Sequence, residues 1–265
     1  MIRHAVVAAI SATAIAAPAV AKGPFDAAIA GPWRTEASKA RDAYRHPAET
    51  LKFLGIKPKM TVVEISPAGG WYTDIIAAGL AGKGKYIAAH NNPAASAGAA
   101  RGVENFKAKY VGKPEFGTVE VTAFGKGAYD IAPEGSADAV VSFRNVHNWH
   151  MAGFDQEAFN AFFKALKPGG TLGIVEHRLP ENWPDERMKS SGYMKVSYVK
   201  ALAEKAGFKF VASSEVNANP KDTKDYPKGV WTLPPNYAEG DTDRAKYAAI
   251  GESDRMTLKF IKPKG

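Results

Sequence analysis

Residues 62–76 read VVEISPAGGWYTDII, and this stretch passes through three structural elements in turn. Its first part belongs to Thr61–Ile65, a short run of apolar and β-branched residues that is typical of a buried strand. The small residues Ser66–Gly70 predict a turn, and residues 71–82 predict a helix that Gly82 closes. A strand, a small-residue turn and a helix in this order open a βαβ unit, so the stretch predicts a parallel sheet.

The same alternation continues along the chain. Strands are predicted at residues 85–90, 118–124, 137–143, 171–177 and 256–261, and helices at residues 94–110, 155–166 and 197–206. Lys167–Gly170 is a Pro-Gly-Gly turn that leads into the fifth strand. Strands that alternate with helices imply a mostly parallel sheet with right-handed crossovers. Upstream, helical spacing from Arg34 to Phe53 predicts a helical lead-in over residues 22–58, before a domain at residues 59–265.

Three stretches resemble a known protein family. They are residues 62–76, GSADAVVSFRNVHNW (135–149) and AFFKALKPGGTLGIVEH (161–177). In order, the three stretches resemble the glycine-rich loop, the fourth strand with its following loop, and the helix, turn and fifth strand of class I S-adenosylmethionine (SAM)-dependent methyltransferases. The resemblance implies an α/β fold with a Rossmann-like, doubly wound and mostly parallel sheet, whose last strand is antiparallel. The whole chain is most similar to an exported subgroup that is interpreted as methyltransferases.

The resemblance also implies which residues bind SAM. The corresponding positions are Glu64, Ser66, Ala68, Gly69 and Gly70 in the first loop, and His90 and Asn91 after the second strand. Ser66 and Ala68 stand where the family has its first two glycines, and a side chain at a positive φ costs ~1 kcal/mol. His90 and Asn91 replace the family's acidic residue, although an amide can still hydrogen-bond a ribose diol. With these departures noted, the resemblance still implies SAM as the cofactor.

Polar side chains follow the fourth and fifth strands, whose ends open onto one crevice in a doubly wound sheet. His147 is the predicted general base and His177 the second catalytic candidate, because an imidazole can accept a proton near neutral pH. Structural roles for both histidines remain open at this point. The predicted substrate-binding residues are Arg144, Asn145, Arg178 and Trp231.

Other kinds of site have weaker support in the sequence. His147 and His150 lie three residues apart in a predicted loop, which is a poor zinc signal, so no metal site is predicted. There is no G-x-S-x-G elbow and no P-loop, and no G-x-G-x-x-G follows the first strand. The absence of cysteine excludes disulfides, thiolate metal sites and cysteine nucleophiles.

Residues 217–242 are rich in Pro, Asn, Asp and Gly, and carry Tyr226, Trp231 and Tyr237. A segment of this length without regular structure is typical of a lid or a binding loop, and the aromatic residues disfavour disorder. The sequence leaves two interpretations open, a candidate lid over the crevice and a structural wrap.

The N-terminus predicts export. Arg3 precedes an uncharged, mostly apolar run from Ala5 to Ala17, and Ala19–Ala21 fits a signal-peptidase site, so residues 1–21 are predicted to be a signal peptide. The run is too short to cross a bilayer, and no membrane span is predicted. The net charge is +8, but Lys and Arg are scattered, so no nucleic-acid partner is predicted.

These observations predict an exported, periplasmic SAM-dependent methyltransferase that acts on a small molecule. The main alternative is a periplasmic binding or structural protein that has the fold without the activity. Export itself favours this alternative, because SAM is made in the cytosol. A cytosolic enzyme whose N-terminus has another role is the third interpretation.

Overall fold

The computed structural model describes residues 23–264, so the predicted signal peptide at residues 1–21 lies outside the described residues. The strands are β1 (Thr61–Ile65), β2 (Lys85–Asn91), β3 (Val119–Phe124), β4 (Ala137–Phe143), β5 (Leu166–Leu179), β6 (Met194–Lys195), β7 (Lys209–Ser214) and β8 (Arg255–Ile261). The α-helices are α1 (Asp26–Ile29), α2 (Glu36–Lys39), α3 (Asp42–Arg45), α4 (Pro47–Leu54), α5 (Thr73–Leu80), α6 (Ala97–Tyr110), α7 (Val146–Ala152), α8 (Asp155–Ala165), α9 (Glu186–Ser191), α10 (Val196–Lys205) and α11 (Arg244–Ile250).

The strands form one sheet in the order β3-β2-β1-β4-β5-β8-β7, with the short β6 paired to β5. β8 runs antiparallel to β5 and β7, and the pairs among β1 to β5 are parallel. Val63 of β1 pairs with Ile87 on one side and Val140 on the other, so β1 lies at the centre of the parallel part. The predicted fold class is confirmed: a Rossmann-like, mostly parallel α/β sheet with an antiparallel last strand.

Both faces of the sheet are covered by helices. Because side chains alternate along a strand, Val62 packs with Ile75 and Ile76 of α5, whereas Val63 faces Phe159 and Phe162 of α8. Burial on both faces explains the nearly continuous apolar run of β1. Within residues 23–264, no helix combines the length and the apolar character needed to cross a membrane.

The N-terminal lead-in packs against the start of α5. The indole nitrogen of Trp33 donates to the carbonyl of Asp74 at 2.8 Å, and that of Trp71 donates to the carbonyl of Ser38 at 3.0 Å. The guanidinium of Arg45 lies over the Trp71 ring, 4.6 Å from its centroid. These contacts cover the outer side of the loop that joins β1 to α5.

Candidate active site

A cavity of about 590 Å³, here called the large cavity, opens at the carboxyl ends of β1, β2, β3 and β4. Ser66 and Ala68 line it from the loop after β1, and Asn91 lines it from the end of β2. Asn145 lies after β4, where its side-chain amide donates to the carbonyls of Ile65 and Phe143, both at 3.2 Å. The aromatic wall of the large cavity consists of Phe124, Trp149 and Phe154. This is the crevice at which open α/β sheets bind ligands.

The loop after β1 holds two side-chain-bearing residues in the left-handed region. Ser66 has a φ of 49° and Ala68 a φ of 52°, as expected for positions that resemble the family's glycines. A left-handed backbone conformation at a non-glycine residue costs about 1 to 2 kcal/mol, and such residues cluster at functional sites. Among the described residues, none accepts a hydrogen bond from the backbone N–H of Ala68 or Gly69. The loop therefore offers two free donors beside the large cavity.

Glu64 lies behind this loop and not in the cavity wall. Its carboxylate is 3 % exposed and accepts from the hydroxyls of Thr73, at 3.1 Å, and Tyr86, at 2.6 Å. Burial raises the pKa of Glu64 to about 7, against the lowering effect of these two hydrogen bonds. Glu64 ties β1 to β2 and to the first residue of α5, and so orders the loop, as the resemblance implies for an acidic residue at this position. Its part in binding the cofactor stays a prediction.

Gly70 also has a structural role that the sequence did not predict. Its φ is 82°, and a Cβ there would lie 1.9 Å from the hydroxyl oxygen of Tyr110. Tyr110 is fully buried and donates to the Gly70 carbonyl at 2.9 Å and to the Asp74 carboxylate at 2.7 Å. Gly70 lines neither the large cavity nor the other cavities described below, and its contact with SAM stays a prediction.

Gly70→Ala is expected to lower the free energy of unfolding by about 2 to 5 kcal/mol, because it adds positive-φ strain to overpacking against an immobile Tyr110. Gly69→Ala is the matched control, since no atom lies within 4 Å of a Cβ at Gly69. Denaturant unfolding of both variants measures the difference. Equal stability of the two variants would contradict this packing.

His90 and Asn91 differ in what they contact. The His90 ring accepts from the Asn91 backbone N–H at 2.8 Å through Nδ1, and its Nε2 lies 3.4 Å from the Ala68 carbonyl. Burial lowers the pKa of His90, against the raising effect of the Ala68 carbonyl. His90 lines a side cavity of about 360 Å³ together with Gly69, whereas Asn91 lines both this side cavity and the large one. His90 therefore supports the loop, and the ribose contacts of His90 and Asn91 stay predictions.

A second cavity of about 170 Å³, here called the small cavity, lies beyond the ends of β4 and β5. Its polar floor is formed by Arg144, His147 and His177, and Asn148 lines both this cavity and the large one. The opposite wall comes from the Pro-rich segment and consists of Val230, Trp231, Pro234, Pro235 and Asn236. The two cavities therefore meet at α7.

The segment at residues 217–242 combines both interpretations left open above. Its first part is anchored, because the buried Asp222 carboxylate accepts from the hydroxyl of Tyr193 at 3.0 Å and from the backbone of Asp254 at 2.7 Å. Its later part covers the small cavity, with Trp231 5.9 Å from the His147 ring. Gly229 fixes the position of this cover, because a Cβ there would lie 2.2 Å from the Ser191 carbonyl oxygen.

His147 lies in α7, where the sequence predicted a loop. Its Nδ1 is 3.0 Å from the carboxylate of Glu176, which also accepts from the backbone N–H of Val146 and so satisfies the start of the helix. This bond places the proton on Nδ1 and leaves Nε2 free to accept one. A buried carboxylate holding one histidine nitrogen is the arrangement that orients a general base.

His177 lies beside His147, with ring centroids 5.2 Å apart. Its Nδ1 is 2.6 Å from the hydroxyl of Ser253. Burial lowers the pKa of His177 well below its usual range, and the neighbouring His147 and Arg144 lower it further. His177 is therefore neutral at neutral pH and suited to orienting a ligand by hydrogen bonding.

His147, Glu176 and His177 also place one ligand atom each within 4.8 Å of one another, a spacing that can hold a metal ion. The carboxylate oxygens of Glu176 are already engaged by the Nδ1 of His147 and by the backbone N–H groups of Val146 and His177. Arg144 lies close enough to lower the pKa of His177, and a cation at that distance opposes a second one. A histidine–carboxylate pair is the better interpretation of these contacts.

The remaining predicted residue, Arg178, lies outside both the large and the small cavity. Its guanidinium donates to the carboxylate of Asp254 at 2.8 and 3.1 Å and to that of Glu215 at 2.8 Å. These carboxylates engage the side chain of Arg178, and its contact with the substrate stays a prediction.

Comparison with known proteins finds solved structures of the same fold but no similar sequence. No protein-family model matches the sequence, and no curated protein is a significant match. A SAM-dependent methyltransferase from Aquifex aeolicus is 16% identical over 84% of this chain and 93% of its own, with a TM-score of 0.54. The chain has the class I SAM-dependent methyltransferase fold.

Two further solved structures show that proteins named for different reactions share this fold. Phosphoethanolamine N-methyltransferase 2 of Haemonchus contortus, in complex with S-adenosyl-L-methionine, is 14% identical over 92% of this chain and 60% of its own, with a TM-score of 0.52. The cyclase SpnF is 16% identical over 91% of this chain and 92% of its own, with a TM-score of 0.54. Since one fold carries different reactions, the activity must be argued from the site.

Proposed function

We propose that this chain is a SAM-dependent methyltransferase that acts on a small molecule. SAM is assigned to the large cavity and the acceptor to the small one. The observation that carries the proposal is that the two cavities meet at Asn148, one against the loop after β1 and the other against His147. The methyltransferases among the structures of the same fold add support.

The residues of the large cavity fit SAM in size and chemistry. A volume of about 590 Å³ is within the range of cofactor sites. The free backbone N–H groups of Ala68 and Gly69 would hold the anionic end of the amino-acid part. The amide of Asn91 would hydrogen-bond the ribose, and the aromatic wall would pack against the adenine.

The residues of the small cavity fit the acceptor and its activation. SAM, when bound, supplies an electrophilic methyl group on a positively charged sulfur. The Nε2 of His147 would take the proton of an acceptor hydroxyl, and the Glu176 carboxylate 3.0 Å from Nδ1 would stabilise the resulting imidazolium. Trp231 and the prolines beside it would exclude water from the acceptor.

Export to the periplasm, and membership of the exported subgroup, are parts of the same proposal. They rest on residues 1–21, with Arg3, an apolar run and a small-residue cleavage site. The intact mass of the protein purified from its native host is expected to lack these residues. A retained N-terminus would favour the cytosolic interpretation.

The proposed activity is tested by incubating the protein without residues 1–21 with SAM and a panel of small hydroxyl, amine and thiol compounds. We expect S-adenosylhomocysteine to form only when the correct acceptor is present, with an equal amount of methylated product. Binding of SAM without S-adenosylhomocysteine from any acceptor would favour the binding-protein alternative.

A further inference from the structure

The floor of the small cavity carries Arg144, a cation that has no ion-pair partner within residues 23–264. Arg144 follows β4 with a φ of 62°, and its backbone N–H donates to the Val175 carbonyl at 2.7 Å, which fixes the residue at the cavity. Arg144 lines the cavity, and among the described residues none forms an ion pair with it, whereas Arg41, Arg45 and Arg255 all pair with Glu252. Arginine side chains away from bulk water are normally paired, so this one is available to a ligand.

The surrounding charges add to the positive character of the cavity. Three other guanidinium groups, those of Arg41, Arg45 and Arg255, lie 2.7 to 3.1 Å from a single carboxylate, Glu252. Burial lowers the pKa of Arg144 to about 10, with opposing contributions from Glu252, which raises it, and from Arg255, which lowers it. Glu176 also raises the pKa of Arg144. Glu252 is shared by the three other guanidinium groups, and the oxygens of Glu176 are engaged by His147 and by two backbone N–H groups, so among the described residues neither carboxylate pairs directly with Arg144.

The rest of the small cavity limits what can bind there. Of the described residues that line it, the polar ones beside Arg144 carry two imidazoles and two amides, and none carries a carboxylate. The cover formed by Trp231, Pro234 and Pro235 is apolar. The guanidinium fork matches the plane of a carboxylate and can bind both of its oxygens at once.

We propose that the small cavity binds a carboxylate of the acceptor through Arg144, so that the acceptors of this protein are small carboxylic acids. This inference rests on the proposed function, because it names the substrate class of the same site. Phosphate would carry more negative charge, for which a single arginine provides too few cations.

The binding test uses benzoate and benzamide, a planar pair that differ in charge, together with inorganic phosphate. Calorimetric titration is carried out on the wild type, Arg144→Met and Arg101→Met. Arg101 is the matched control, because it is exposed on α6 and lines none of the three cavities. We expect the wild type to bind benzoate, Arg144→Met to bind it ~10- to 100-fold more weakly, and Arg101→Met to bind it as the wild type does.

A measurement on the wild type covers the case in which Arg144→Met does not fold. Phenylglyoxal modifies free guanidinium groups, and the extent of modification of Arg144 is read from peptide masses. Benzoate is expected to slow this modification, and benzamide is expected to leave it unchanged. Equal binding of benzoate by the wild type and folded Arg144→Met, tighter binding of phosphate, or no protection of Arg144 would overturn the proposal.

The same samples separate this inference from the proposed function. SAM is titrated into each protein in parallel. Binding of SAM without selective benzoate binding would reject the carboxylate site and leave the methyltransferase proposal standing. Selective benzoate binding without SAM binding would reject the methyltransferase proposal and leave the carboxylate site standing.

Discussion

Replacing His147 with alanine is expected to lower the turnover number ~10²- to 10⁴-fold for a hydroxyl acceptor, because a positioned base is lost. SAM affinity is expected to change little, since His147 lines the small cavity and not the large one. Turnover is measured at saturating acceptor, with SAM binding and thermal unfolding measured on the same preparation.

His150→Ala is the matched control for this variant. His150 belongs to the same helix, but its Nδ1 lies 2.8 Å from Asp155 and 2.9 Å from the hydroxyl of Tyr198, and it lines neither cavity. Turnover by His150→Ala should remain within a few-fold of the wild type. If His147→Ala turned over as fast as His150→Ala, His147 would not be the base.

Glu252→Gln is expected to lower the free energy of unfolding by about 3 to 5 kcal/mol, because it leaves the guanidinium groups around it without their shared carboxylate. Glu252 is 3 % exposed and accepts from Arg41, Arg45 and Arg255. Glu215→Gln is the matched control, since Glu215 pairs with Arg178 while its side chain is 67% exposed. Such a surface pair contributes less than ~1 kcal/mol.

The same residue predicts a dependence on pH. Burial alone would raise the pKa of Glu252, but Arg45, Arg255, Arg144 and Arg41 outweigh it and hold the pKa at about 2. A depressed carboxyl pKa stabilises the fold fully above the unfolded value of ~4.3, and this contribution is lost as the pH falls toward 2. The stability difference between wild type and Glu252→Gln should therefore be constant from pH 6 to 8 and shrink below pH 5. A difference independent of pH would contradict the assignment.

The parts of the fold that the sequence predicted are those fixed by local patterns. The bounds predicted for β1 and β4 match the structure, because apolar β-branched runs between turn residues specify buried strands over short distances. The left-handed φ of Ser66 and Ala68 followed from their match to the first two glycines of the family that the chain resembles. Helix α7 was not predicted from the sequence. Its first N–H groups are satisfied by the carboxylate of Glu176, which lies 30 residues from Val146 and so gives no local signal.

The site residues were harder to predict for the same reason. Gly70 was assigned to SAM from the resemblance and Arg178 to the substrate because it ends the fifth strand, but the sequence did not show that Tyr110 and Asp254, which are distant in sequence, contact them. Glu176, which orients His147, was one of the polar residues noted at the end of the fifth strand, but no role was assigned to it. A buried acidic residue directly before a histidine at a strand end was the available signal.

Calorimetric titration of SAM into three proteins, the wild type, Ala99→Trp and Ala108→Trp, tests the assignment of SAM to the large cavity most directly. Ala99 lines that cavity from the first turn of α6, and Ala108 is exposed on the same helix. The wild type and Ala108→Trp are expected to bind one SAM with similar affinity, and Ala99→Trp, which fills the cavity, to bind it ~10-fold or more weakly. Unchanged affinity in folded Ala99→Trp, or no binding of SAM by the folded wild type, would contradict the account.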